Sequence, residues 1–250
     1  MSFRVVIPAR YASVRLPGKA LRLVAGRPLI EHVYRRAAES GASEVLVATD
    51  DERIATACQR FGAHAVMTSD AHPSGTDRLA EVARARGWAD GELIVNVQGD
   101  EPLVPAANIA QVAALLEADP GAALATLATP VHSLAELDDP NAVKVVVGAG
   151  GRALYFSRAP IPWHRGLARE APGRLAGALR HLGLYAYRVG ALKRLAALAP
   201  TPLEGIERLE QLRALEQGLP IALGIAREVP GPGVDTEADL EAVRRLIERA

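Results

Sequence analysis

Residues 5–19 read Val5-Val6-Ile7-Pro8-Ala9-Arg10-Tyr11-Ala12-Ser13-Val14-Arg15-Leu16-Pro17-Gly18-Lys19. A buried apolar strand runs directly into a loop that carries three cations, Arg10, Arg15 and Lys19, and is stiffened by Pro8, Pro17 and Gly18. The carboxyl end of a strand is a rigid platform, and ligands of open α/β sheets gather there. Cations fixed at that point suit a polyphosphate, which guanidinium and ammonium groups grip by charge-assisted hydrogen bonds. The opening strand therefore implies an α/β sheet, and its loop implies an anionic ligand.

The rest of the chain supports that class. Short β-branched runs, expected as strands over 4–8, 44–49, 63–67, 93–98 and 122–128, alternate with helical patterns over 27–40, 52–61, 77–86 and 108–118. This alternation is the signature of a mostly parallel sheet with helices on both faces. Gly41, Gly62 and Gly87 stand where a left-handed cap would close the first three helices. After about residue 140 the rhythm changes. Strands over 143–147 and 153–157, joined by Gly148-Ala149-Gly150-Gly151, read as a hairpin. A strand over 182–188, a helix over 203–217, a strand over 221–228 and a closing helix from Thr236 follow. One domain over 1–250 is expected, in which the second half, from about residue 141, reads as an elaboration on the first with a hairpin of the kind that builds dimer surfaces.

Composition narrows the partners. The chain has 250 residues, 49% of them hydrophobic, with 29 basic and 29 acidic residues and a formal net charge of +0. A nucleic-acid binder that relies on bulk positive field is excluded, so an anion must be met by a local cluster. A single cysteine, Cys58, permits neither an intrachain disulfide nor a cysteine metal site. No apolar run reaches membrane-spanning length and the first residues already form a strand, so a cytoplasmic protein without membrane contact is expected.

Two motifs mislead. Gly148–Ala153 matches G-x-G-x-x-A, but Leu154-Tyr155-Phe156-Ser157 continues as strand where a dinucleotide site needs a helix. Gly18-Lys19 fails the P-loop pattern, because Ser13 replaces its first glycine and Ala20 its final hydroxyl.

A second chemical centre is Asn96-Val97-Gln98-Gly99-Asp100-Glu101-Pro102, where a buried strand delivers Gln98, Asp100 and Glu101 to its carboxyl end. Asp100 either suits Mg²⁺, which binds one or two carboxylates plus substrate phosphates, or with Glu101 simply opens the next helix, where acids are favoured. A further carboxylate is available in Gly231-Pro232-Gly233-Val234-Asp235-Thr236. The residues alone leave two roles open for Asp235, as a metal ligand or as a flank to the helix cap formed by Thr236 and Asp239. Ser74-Gly75-Thr76-Asp77-Arg78 likewise reads either as a base or ribose contact or as a plain N-cap. Arg158, His181, Tyr185, Glu210 and Gln211 are polar groups among apolar neighbours in the second half.

Together these stretches resemble the 3-deoxy-manno-octulosonate (Kdo) cytidylyltransferase family across nearly the whole chain. The loop 7–19 is shared with nucleotidyltransferases at large. Tyr155–Trp163, His181–Arg188 and Glu210–Arg213 are what narrow the resemblance to Kdo. The resemblance implies a Rossmann-like nucleotidyltransferase fold and a homodimer that transfers CMP from CTP to Kdo, releasing pyrophosphate, for lipopolysaccharide synthesis. It implies phosphate contacts from Arg10, Arg15 and Lys19, base or ribose contacts from Pro8, Ala9, Arg10, Gly75, Arg78 and Gln98, and a further nucleotide contact from Ser13. It places Mg²⁺ on Asp100 and Asp235, with Lys19 as a third catalytic group, and Kdo against Arg158, His181, Tyr185, Glu210 and Gln211. Ala20, Pro73 and Asp138-Asp139-Pro140 depart from the family pattern, which bears on loop stiffness and base recognition. A cytidylyltransferase for another acidic 2-keto sugar, or CTP binding without catalysis, are the alternatives.

Overall fold

The computed structural model describes residues 2–13 and 15–249. Strand β1 (Phe3–Ala9) lies inside a sheet and is followed by the small hairpin β2 (Leu23–Val24) and β3 (Arg27–Pro28). Then come α1 (Leu29–Ala38), β4 (Glu44–Thr49), α2 (Glu52–Arg60), β5 (His64–Met67), α3 (Gly75–Ala85), β6 (Leu93–Asn96) and α4 (Ala106–Ala118). The second half adds β7 (Leu124–Pro130), α5 (Leu134–Asp138), β8 (Lys144–Val147), β9 (Ala153–Ser157), β10 (Leu179–Arg188) and α6 (Val189–Ala197). It closes with α7 (Pro202–Glu207), α8 (Gln211–Glu216), β11 (Ile221–Ile225) and α9 (Glu237–Ile247).

The main sheet runs β11-β7-β10-β6-β1-β4-β5. Its first-half strands are parallel, and β10 is antiparallel to both β6 and β7. Side chains of one strand point alternately to opposite faces. Val5 and Ile7 therefore enter the core beneath α1 and α4, while Val6 enters the core beneath α3 and α6. The result is three layers, as the alternating pattern predicts. α9 covers a smaller cluster of Leu16, Val24 and Leu29 through Leu240 and Val243.

One irregularity of the sheet creates the site. Tyr185–Arg188 of β10 pair with β6, whereas Leu179 and Arg180 pair with β8 on the same side. Between those ladders the strand bulges, since Leu182 pairs with Leu127 but Tyr185 pairs with the adjacent Thr126. A bulge re-aims side chains and interrupts pairing. The sheet thus opens beyond the carboxyl end of β6, where the chain order also reverses direction.

Some expected elements need correction. The helix expected over 203–217 is two helices, because Arg208 takes a left-handed backbone (φ 51°) between α7 and α8. The break lets Leu209 turn into the core and sets Glu210 at the head of α8. The strand expected over 93–98 stops at Asn96, so Gln98 already belongs to the loop. The helix expected from 27 starts at Leu29, since Arg27 and Pro28 pair with β2. α5 and α6 have no counterpart in the sequence reading.

Candidate active site

The cation-bearing loop after β1 closes on itself. The Gly18 N–H donates to Tyr11 O at 3.2 Å, and Gly18 takes the left-handed conformation (φ 66°) that its turn requires. That turn starts a short 3₁₀ segment, Lys19–Leu21, and points Lys19 across the cleft. Its Nζ donates to Asp100 Oδ2 at 2.7 Å and to Asp235 Oδ1 at 3.0 Å. Arg15 Nη2 reaches the same Asp235 oxygen at 3.0 Å. Residues separated by more than 200 positions in sequence thus meet around one ammonium group.

Two backbone facts hold the carboxylates in register. The Val234 N–H donates to Asp100 O at 2.8 Å, which ties the loop after β6 to the loop before α9. A Cβ on Gly233 would stand 2.7 Å from Glu101 Oε1, so a side chain there would displace the Glu101 carboxylate. Thr236 and Asp239 form a complete capping box on α9, and the Asp235 N–H also donates to Asp239. The cap-flanking role left open for Asp235 is realised by its backbone, while its carboxylate faces Lys19.

The cleft around this cluster has a volume of about 480 Å³, and every expected nucleotide contact lies on its wall: Pro8, Ala9, Arg10, Ser13, Arg15, Lys19, Gly75, Arg78 and Gln98. Gly75 packs on Pro8, where a Cβ would meet the ring at 3.3 Å. Ser74 is the N-cap of α3, accepting from the Asp77 N–H at 3.3 Å. Arg78 is buried and its guanidinium is already engaged, by Asp50 Oδ2 at 2.7 Å and by the Thr68 hydroxyl.

A second cavity of about 210 Å³ adjoins the cleft, sharing Gly75 and Gln98 with it. His181, Tyr185, Glu210 and Gln211 line it, together with Asn96 and Tyr187. The bulge of β10 places the first two. Thr126 Oγ1 lies 3.1 Å from Leu182 O and 2.9 Å from Leu184 O, and can give its one proton to either. His181 Nε2, 3.0 Å from the same hydroxyl, must then be the donor, which leaves Nδ1 as an acceptor. The Tyr185 hydroxyl is buried with no partner among the described residues. Glu210 accepts from Ser74 Oγ at 3.0 Å, so the two cavities share a polar wall. Arg158 lies outside both. Its guanidinium donates to the carbonyls of Glu207 (2.8 Å), Pro140 (2.8 Å) and Arg208 (3.4 Å).

Charge is unevenly distributed. Burial lowers the Lys19 pKa, but Asp100 and Asp235 outweigh it and hold the ammonium above its ordinary value. Glu101 is pushed up to about 7, by burial first and by Asp100 and Asp235 next. Burial alone drives His181 down to about 3, so the ring is neutral. Glu210 is raised by burial, against the pull of Thr76 and Ser74. Asp100 and Asp235 offer hard oxygen donors that already converge on a cation, the chemistry that Mg²⁺ accepts. Among the described residues no three such ligands cluster.

Comparison with known proteins gives the family. A cytidylyltransferase family model matches residues 4–222. The 3-deoxy-manno-octulosonate cytidylyltransferase of Thioalkalivibrio sulfidiphilus is 54% identical over 248 residues, 99% of each chain. That of Alkalilimnicola ehrlichii is 58% identical over 252 residues, covering 98% of this chain and 96% of its own. The chain belongs to the 3-deoxy-manno-octulosonate cytidylyltransferase family. A solved CMP:2-keto-3-deoxy-manno-octonic acid synthetase complexed with CTP superposes with a TM-score of 0.91 at 44% identity, covering 100% of this chain and 99% of that one. A nucleotidyl transferase from Methanothermobacter shares the fold alone, at 16% identity and a TM-score of 0.63.

Within this cytidylyltransferase several residues of the site escaped the sequence reading. His72 lines the cleft around Lys19 with its Nε2 against Glu81, and Glu81 also accepts from the Ser69 N–H at 3.0 Å. Asp50 secures Arg78. Neither belongs to a motif that spacing would reveal. Asp50 directly follows β4, another strand carboxyl end, and that was the available signal.

Proposed function

We propose that this cytidylyltransferase transfers CMP from CTP to Kdo, releasing pyrophosphate, by in-line attack of a sugar hydroxyl on the α-phosphate. One observation carries the reading. The cleft holding Lys19, Asp100 and Asp235 opens through Gly75 and Gln98 into a second cavity lined by hydrogen-bonding side chains. Two small anions seated in these cavities would meet beside the cluster.

Both substrates are negative, so repulsion is the main obstacle, and transfer at phosphorus asks chiefly for positioning and electrostatic stabilisation. Arg10, Ser13 and Arg15 bind the triphosphate, and Lys19 exchanges its carboxylate partners for phosphate oxygen as charge develops. Pro8, Ala9, Gly75, Arg78 and Gln98 hold base and ribose. The fixed Arg78 guanidinium presents a surface that does not need ordering on binding. In the second cavity the Tyr185 hydroxyl donates, His181 Nδ1 accepts, and Glu210 and Gln211 orient the sugar hydroxyls. Arg158 supports that wall from behind. Magnesium held by Asp100 and Asp235 would neutralise phosphate charge and lower the pKa of the attacking hydroxyl.

The same reading includes a cytoplasmic homodimer. Val147 and Leu154 stand exposed on the β8–β9 hairpin, an apolar surface of the kind a second copy covers. No described helix is long and apolar enough to cross a membrane. The test is pyrophosphate release with CTP and Mg²⁺, comparing Kdo with other acidic 2-keto sugars. Kdo is expected to give the highest kcat/KM; binding of CTP without pyrophosphate release in the presence of Kdo overturns the catalytic reading.

A further inference from the structure

Lys144 is fully buried, and its ammonium donates to a backbone carbonyl, Asp139 O, at 2.7 Å. Taking an ammonium out of water is costly unless the structure repays it, so such a group calls for an explanation. Burial lowers its pKa, with Asp139 and Asp138 opposing the shift. The next carbonyl in the chain, Pro140 O, is held by Arg158 Nη1 at 2.8 Å. Lys144 opens β8 and faces Ser157 in the β8–β9 ladder, and Arg158 directly follows β9. Two cations thus grip two successive carbonyls of one loop.

That loop lines a cavity at the open edge of the sheet through Asp139, Asn141, Ala142 and Val143, and Val143 also lines the sugar cavity. Val143 O accepts from the His181 N–H at 2.8 Å, so the loop is joined to the strand that carries His181. Arg158 extends the connection to the opposite wall. Its Nε donates to Glu207 O at 2.8 Å, and its N–H donates to Glu207 Oε2 at 3.0 Å. Ser157 Oγ donates to the other Glu207 oxygen at 2.6 Å. Glu207 directly precedes Arg208, whose left-handed backbone turns the chain toward Glu210 and Gln211.

We propose that Lys144 and Arg158 are positioning residues, a latch that ties the 139–143 loop to the 207–211 turn and so fixes the width of the sugar cavity. The proposal rests on assigning that cavity to Kdo. Neither latch residue lines the nucleotide cleft, and although the loop shares a cavity with Asp100 and Asp235, loss of the latch should act chiefly on the sugar half of the reaction.

The experiment is steady-state kinetics on Lys144→Met, with Kdo and CTP varied separately, and calorimetric CTP binding without Kdo as a check on the nucleotide half. The expected result is a KM for Kdo raised about tenfold or more while the KM and binding constant for CTP stay within about twofold, equivalent to about 1.4 kcal/mol on the sugar side. Combining Lys144→Met with Gln211→Ala should give less than the product of the single effects, because both act through one wall. If Lys144→Met does not fold, Arg158→Lys breaks the three-carbonyl grip from the partly exposed side and carries the same expectation. An unchanged KM for Kdo, or an equal rise in both KM values, overturns the latch while leaving the sugar assignment intact. A wild-type enzyme that releases no pyrophosphate with Kdo overturns that assignment and the latch with it.

Discussion

The Lys19 ammonium stands 2.7 Å from the Asp100 carboxylate, with Asp235 on its other side. A lysine in this place balances two acids that would otherwise repel, and it supplies the cation that a triphosphate needs on arrival. Lys19→Met and Asp100→Asn should each lower kcat about 10²–10³-fold, the usual loss for one preorganised charge-assisted contact. Circular dichroism and melting should show an intact fold, since both groups line a cleft rather than the apolar core. A turnover within threefold of wild type in either variant would falsify the role of the cluster.

Gly99 lies beneath the same cluster. A Cβ there would stand 2.7 Å from Pro8 O, a backbone atom that cannot swing aside. Gly99→Ala should therefore force the loops after β1 and β6 apart and destabilise by about 1–3 kcal/mol, as overpacking does. It should also raise the KM for CTP, because Pro8 and Asp100 shift together. Gly150→Ala is the control, having nothing within 4 Å of the added atom. Urea unfolding of the two variants gives the comparison.

His181 sets a pH dependence. Its folded pKa of about 3 lies far below its ordinary 6.5, because burial penalises the charged ring. A base with a depressed folded pKa favours folding above its unfolded pKa, and that contribution is lost as pH falls. Stability should accordingly decline from about pH 6.5 downward, with a limiting slope of about 1.4 kcal/mol per pH unit for one proton. His181→Gln should flatten the curve between pH 6.5 and 5. Denaturant midpoints of both proteins across that interval test it; parallel curves would mean the ring titrates normally in the folded state.

Much of this site could be read before any coordinates. Lys19, Asp100 and Asp235 each follow a strand through a loop containing proline or glycine, and parallel strands deliver such loops to one edge of a sheet. What the pattern could not supply was the β10 bulge, because one face of Leu182-Gly183-Leu184-Tyr185 looks like ordinary strand and its irregularity is set by Thr126 on a neighbour. The break at Arg208 was hidden for a related reason. Residues 203–217 have good helical character, yet a buried ion pair, Arg213 Nε to Glu204 Oε2 at 2.8 Å, and the insertion of Leu209 into the core outweigh local propensity. Arg158 illustrates a different limit, since sequence assigns it a charge but not the three carbonyls that use it.

Asp50 provides the last test. Arg78 has only 5% of its side chain exposed, and Asp50 Oδ2 lies 2.7 Å from its guanidinium. Removing one partner of a buried pair leaves an uncompensated charge, which typically costs about 3–5 kcal/mol. Asp50→Asn should therefore lose much of that stability and raise the KM for CTP, since Arg78 would turn toward the cleft and its water. Removing both charges in Asp50→Asn with Arg78→Met should restore part of the stability but not the affinity for CTP, because the wall would then lack its guanidinium. Stability and affinity separate in the double variant only if Arg78 both packs against Asp50 and faces the nucleotide. Recovery of CTP affinity alongside stability would show that Arg78 serves the fold alone.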